Sequence, residues 1–235
     1  MKSKVVGTLL ATALAVVSLP GQAAEITLTG WAFNSGNRVQ ASGAAIQSGS
    51  YNGAAGGFQG SLSGAGLFNT SSFLTYCIEL EESFSFSAAA MSGYTIVDGA
   101  TYFEQRRALN ANRPLGTQVA ERLGQLMSWA GADPRRVDSA AESTALQLAV
   151  WNIVYDSDWS LTSAGSFGDL SSFNAAATQM LQVASGVDRR FDVFALTRAG
   201  KQDFLLTSLR VPEPGSLALA GLALVGLAVA RRRRA

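Results

Sequence analysis

The sequence predicts an α+β fold: a β-strand-rich exported domain with a helical insert, followed by one C-terminal transmembrane helix. Three observations predict it. Apolar and polar residues alternate with period two in stretches between Ile26 and Phe103 and again over 191–209, whereas the period lengthens to that of a helix between Val119 and Ala184. Each chain end is an apolar run flanked by cations, Lys2 and Lys4 before the first, Arg231, Arg232, Arg233 and Arg234 after the second. The 186 residues between them, 25–210, are enough for one core and too few for two.

Residues 1–24 have the three parts of a secretory signal peptide. Lys2 and Lys4 make the positive region, Val5 to Leu19 the apolar run, and Pro20-Gly21 breaks the helix before Gln22-Ala23-Ala24. Cleavage after Ala23 puts small residues at both required positions; cleavage after Ala24 is the close alternative. In the exported part, Ile26 to Phe33 alternates as a strand. Hairpin-like pieces lie around Phe58 and Leu62. Phe73 to Phe86 is the best strand candidate, with Cys77 and Glu79 on one face, and Tyr94–Val97 and Ala100–Phe103 flank Asp98-Gly99, a two-residue hairpin signal.

The helical insert follows. Val119, Leu123, Leu126 and Met127 form a stripe that stops at Gly131, with Pro134 beyond it. Ser139-Ala140-Ala141-Glu142 is a capping box opening a helix to about Tyr155, and Ser172–Ala184 is a third helix. Phe191–Leu196 and Asp203–Leu209 close the domain as a hairpin joined by residues 197–202.

Composition removes several function classes. Residues 25–210 hold 12 Lys and Arg against 16 Asp and Glu, a net charge of −4, with no basic stripe, so nucleic acid is not an expected partner. The chain has no His, which excludes Ser-His-Asp and Cys-His catalysis and the usual zinc sets. No acid/base motif stands out either, so the sequence calls for no enzyme, cofactor or metal. Asp156-Ser157-Asp158 lacks the Gly and Glu spacing of a calcium loop, and reads as a capped turn. Arg106-Arg107, Arg135-Arg136 and Arg189-Arg190 read as solvated faces.

The C-terminus carries the first resemblance. Pro212-Glu213-Pro214 precedes an apolar helix over about 214–230, long enough for a thin bilayer, and Arg231 to Arg234 follow as stop-transfer charges. Residues 211–235 thereby resemble the PEP-CTERM sorting signal of Gram-negative bacteria. The resemblance implies signal peptidase and exosortase as partners during sorting. It also implies export across the inner membrane, a tether at the C-terminus that is transient or retained, and a destination at the cell surface or in an exopolysaccharide-rich matrix.

The second resemblance rests on the one cysteine. Ala145 to Asp156 is apolar nearly all round, yet it contains Gln147, on the same face as Val150, Trp151 and Val154. A buried amide left unpaired costs about 1–3 kcal/mol. Tyr76-Cys77-Ile78-Glu79 on a strand, then Gln147-Leu148-Ala149-Val150-Trp151 on a helix, resemble the two motifs of bacterial surface thioester domains of the TQxA type; Leu146 stands where that family favours Thr. The resemblance implies an internal thioester between Cys77 and Gln147, with Glu79 as candidate proton-transfer helper, waiting for an amine- or hydroxyl-bearing surface. The single lysine of residues 25–210, Lys201, leaves few internal amines to quench it. The other reading is a non-covalent matrix protein in which Cys77 is a buried hydrophobe and Gln147 a core amide bonded to backbone.

Overall fold

Strand β1 (Ala24–Trp31) buries Ala24, Ile26 and Leu28 and turns Glu25 and Thr29 outward or toward the rim, the alternation expected of it. It pairs antiparallel with β4 (Phe58–Ser63) on one side and β6 (Met91–Asp98) on the other. β5 (Thr70–Thr75) extends one edge of this sheet; β8 (Phe191–Arg198) and β9 (Lys201–Leu209) extend the other, giving the order β5-β4-β1-β6-β8-β9. β2 (Asn37–Ser42), β3 (Ser50–Ala55) and the short β7 (Gly168–Asp169) form a second sheet. The computed structural model describes residues 23–86, 89–161, 167–169 and 171–210. The expected signal peptide, apart from Ala23 and Ala24, and the whole sorting tail with its transmembrane helix over 214–230 lie outside the described residues. Among the described residues no helix is long and apolar enough to cross a membrane.

The two edges of the large sheet nearly meet. Beyond β5 the chain crosses to β9, where Leu205 N–H donates to Tyr76 O (2.9 Å) and Ile78 N–H to Asp203 O (3.1 Å), with Cys77 bridged to Phe204. This near-barrel closure corrects the long strand expected over Phe73–Phe86. Pairing with β4 ends at Thr75; Cys77 N–H donates to Gln147 and Ile78 N–H to β9. The donors beyond are taken by side chains, Glu79 Oε2 accepting from Glu81 N–H (2.6 Å) and Glu82 N–H (2.7 Å) and the Tyr155 hydroxyl from Leu80 N–H (2.8 Å). Burial fails to alternate as well, since Tyr76, Cys77, Ile78 and Glu79 are all buried in succession.

A second correction falls at Asp98-Gly99. No hairpin forms there; Asp98 Oδ1 accepts from Thr101 N–H (3.0 Å) and caps helix α1 (Gly99–Leu109). An Asp-Gly pair serves as well at a helix start as in a turn. A Cβ at Gly99 would lie 2.6 Å from Val193 O, so the helix start is pressed against β8.

The remaining helices fall where the periodicity put them: α2 (Gly116–Gly131), α3 (Ala140–Tyr155) and α4 (Asn174–Ala184). Ser139 Oγ accepts from Glu142 N–H, and Glu142 Oε2 accepts from the Ser139 hydroxyl (2.8 Å). Thirteen of the sixteen residues of α3 are buried, so this helix is the centre of the core. Its first turns are pinned by side chains. Gly57 N–H donates to Ser143 Oγ (2.8 Å), Thr144 Oγ1 to Ala55 O (3.0 Å), and Asn37 Nδ2 to Thr144 Oγ1 (2.9 Å). That anchoring fixes which way the next turn, with Gln147, must face.

Candidate functional site

Gln147 lies one turn beyond Ser143 and points at Cys77. The contact is reciprocal: Cys77 N–H donates to Gln147 Oε1 (2.9 Å), and Gln147 Nε2 donates to Cys77 O (2.8 Å). Gln147 is wholly buried and Cys77 is buried with a free thiol. Two residues 70 apart in sequence are thus held together by a cyclic pair of hydrogen bonds, one made by each end of the amide. The arrangement has two chemical consequences. It satisfies the primary amide inside an apolar helix. It also sets a backbone N–H on the carbonyl oxygen, where negative charge would gather if a nucleophile attacked Cδ.

Cys77 and Gln147 both line a cleft of about 250 Å³. Six aromatic rings form much of its wall: Trp31, Tyr51, Phe58, Phe84, Phe86 and Trp151. The rings interlock, with centroids of Trp31 and Phe58 4.8 Å apart, Phe58 and Phe84 4.8 Å, and Tyr51 and Trp151 5.1 Å. Trp31 is seated over glycine. A Cβ at Gly36 would stand 2.6 Å from its ring, and Gly56 beside it has φ +152°, a conformation L side chains rarely adopt. The sequence singles out none of these rings as a site residue; Trp151 enters it only as a motif neighbour on the Gln147 face.

Glu79 lines the same cleft and is 1% exposed. Besides the two backbone donors at Oε2, its Oε1 accepts from Gln202 Nε2 (2.6 Å) and Asp203 N–H (3.3 Å). Burial pushes Glu79 up to about 7, against backbone hydrogen bonds from Glu82, Asp203 and Glu81 that favour its charged form. Burial first, then the charges of Glu79 and Asp203, raise the Cys77 thiol well above its ordinary range. The resting cysteine is therefore a thiol, and any attack it makes must shed its proton along the way. Behind Glu79 the network continues, with Tyr102 OH donating to Asp203 Oδ2 (2.6 Å) and Arg106 pairing with the same oxygen (3.3 Å).

Residues 210–234 match the family model of the PEP-CTERM protein-sorting motif. That motif implies an exported, surface-directed protein processed by exosortase. No curated protein matches the chain. Among solved structures it is similar to the N-terminal thioester domain of a surface protein from Clostridium perfringens, determined as a cysteine-to-alanine variant. The identity is 16% and the TM-score 0.42, over 60% of this chain and 85% of that one.

The expected site residues thus divide. Cys77, Gln147 and Glu79 come together in one cleft, while Pro212, Glu213, Pro214 and Arg231 to Arg234 lie outside the described residues. Leu146 is buried and brings no hydroxyl to the site. Asp156 accepts from Ser157 N–H and Phe167 N–H, as a capped turn should. Among the described residues no group of acidic, His or Cys side chains is arranged to hold a metal. Arg106 departs from the solvated face expected of it, being half-buried against Asp203. Gln202 and Asp203 had no signal in the sequence, because their partner Glu79 is more than 120 residues away.

Proposed function

We propose that the exported domain forms an internal thioester between Cys77 and Gln147 and uses it to attach covalently to a surface. The observation that carries this reading is the reciprocal hydrogen bonding of the Gln147 amide with the Cys77 backbone in the wall of an aromatic cleft. Cys77 Sγ attacks Gln147 Cδ, the Cδ–Nε2 bond breaks, and the thiol proton leaves with the nitrogen as ammonia. Amides are poor electrophiles, and the pre-set geometry supplies what reactivity lacks. The Cys77 N–H stays on the carbonyl oxygen and steadies its charge; the bond from Nε2 to Cys77 O is the one given up. Glu79, poised near neutrality, relays the proton. An external amine or hydroxyl later attacks the same Cδ, expels the Cys77 thiol and remains bound to Gln147. The domain acts once per molecule and so is not an enzyme.

The ends of the chain serve delivery. Residues 1–24 direct export, and cleavage after Ala23 leaves β1 whole, because that strand begins at Ala24. The segment 214–230 tethers the protein in the inner membrane until exosortase acts near Pro212-Glu213-Pro214, leaving the domain at the cell surface or in the matrix. Changing Glu213 should leave the protein uncut in the membrane; processing indistinguishable from wild type would refute a sorting role for that residue.

A second reading has its own observation. Both the oxygen and the nitrogen of the Gln147 amide have a partner and the Cys77 thiol is pushed up by burial, which is what a passive core of a non-covalent matrix protein would also require. Methylamine separates the two. A thioester takes methylamine onto Gln147 and frees Cys77 for labelling, and Cys77→Ala abolishes the incorporation. A passive core incorporates none in either protein.

A further inference from the structure

The segment that carries Glu79 also forms part of the wall of a second cavity, of about 370 Å³, into which Glu81 and Arg113 face together with Ile46, Gln47, Arg106 and Asn110. Arg113 is 7% exposed. Its Nη2 pairs with Glu81 Oε1 (2.6 Å), and its guanidinium lies 4.3 Å from the centre of the Tyr155 ring. Its Nε and Nη1 are buried without an acceptor among the described residues. A guanidinium has five N–H donors and cannot shed its charge, so idle donors on a side chain that lines a cavity call for an acceptor.

The neighbouring charges do not supply one. Glu81 is fully committed, since its other oxygen accepts from Tyr155 OH (2.7 Å) and Leu80 N–H (3.2 Å). Burial works to raise Glu81, but the Arg113 charge and the Tyr155 and Leu80 hydrogen bonds carry it below its ordinary range, so it remains the anion of this pair. Arg106 adds a second cation to the wall, and its own partner, Asp203, is not part of that wall. Two cations thus face one spent carboxylate. Ala44, Ile46 and Leu109 give the lining an apolar part beside polar Gln47 and Asn110.

We propose that this cavity is a binding site for the carboxylate of a small organic acid, with Arg113 donating the hydrogen bonds, Arg106 adding charge and the apolar wall taking the carbon skeleton. A carboxylate is the anion whose planar oxygens suit a guanidinium, and an organic one suits the mixed lining. The site stands apart from the Cys77–Gln147 pair and does not depend on the reading given to it.

The test is calorimetric titration of the exported protein with sodium glucuronate and with sodium acetate at constant ionic strength, against glucose and sodium chloride. Saturable binding of glucuronate, absent for glucose and chloride, is expected. Acetate binding as well would show that the carboxylate suffices, and its failure would show that the skeleton is read too. Arg113→Lys keeps the charge but loses the planar donors, and should weaken glucuronate about tenfold or more. Should that variant fold poorly, Gln47 serves instead, because it is exposed at the rim. Gln47→Glu should weaken glucuronate about threefold and Gln47→Lys strengthen it by a similar factor. No saturable binding of either carboxylate by the wild type, or equal affinities across the Arg113 and Gln47 variants, would overturn the proposal.

Discussion

Helix α3 and the segment from Tyr76 to Phe86 both line the cleft and are held by opposite means. α3 is regular: a capping box opens it, apolar side chains surround it, and Ser143 and Thr144 tie it to the β3–β4 junction. The opposing segment has almost no regular pairing after Cys77. Its shape comes from carboxylates, with Glu79 gathering Glu81 N–H, Glu82 N–H, Gln202 and Asp203 N–H, and Glu81 gathering Tyr155, Leu80 N–H and Arg113. Each partner's precision therefore has its own origin. Packing and side-chain ties orient the amide, and a buried polar network shapes the segment that follows the thiol. Packing is nearly indifferent to pH, whereas the network is not.

The contrast can be broken at either end. On the packed side, Leu148 is wholly buried in α3, and Leu148→Ala should lower unfolding stability by about 2–5 kcal/mol at any pH, read by denaturant titration. On the polar side the effect should follow pH. Glu79 titrates near 7 in the fold against about 4.5 when unfolded, so the folded state holds this proton more tightly. The stability this lends is complete below about 4.5 and is lost as pH rises through about 7, up to about 3 kcal/mol in all. Glu79→Gln has nothing to titrate there, and its stability curve should lack that fall. Parallel curves for the two proteins would mean that Glu79 does not sense pH. Smaller again, Tyr155→Phe removes one hydroxyl that serves both Leu80 N–H and Glu81. It should cost about 1–2 kcal/mol and speed amide exchange in residues 79–86 while leaving the middle of α3 protected.

The same contrast explains what could be read from the sequence. α3 was legible because its signals are local: a Ser-x-x-Glu box, an apolar run, and one amide that had to find a partner. The pairing of Gln147 with Cys77 was legible only through motif resemblance, since nothing in the spacing of two residues 70 apart sets their distance. In the sequence the segment after Thr75 reads as a continuing strand because its β-forming residues alternate, and the competing claim of Glu79 on its N–H groups depends on Gln202 and Asp203 from β9. Asp98-Gly99 misled for a related reason. Turn and helix cap use the same residues, and α1 packing on β8 decided between them. The aromatic walls were invisible because Trp31, Phe58, Phe84 and Phe86 converge only when the sheet edges meet.

The most direct measurement is the intact mass of the exported protein, purified quickly and away from amines, with both termini determined on the same sample. The expected mass is lower than that of the processed sequence by one ammonia, with Cys77 unreactive toward thiol reagents yet not oxidised. Gln147→Ala should show no such deficit and a titratable thiol. A wild-type mass equal to the sequence value, with Cys77 present as a free thiol once the protein is opened, would contradict the thioester and leave the pair as packing.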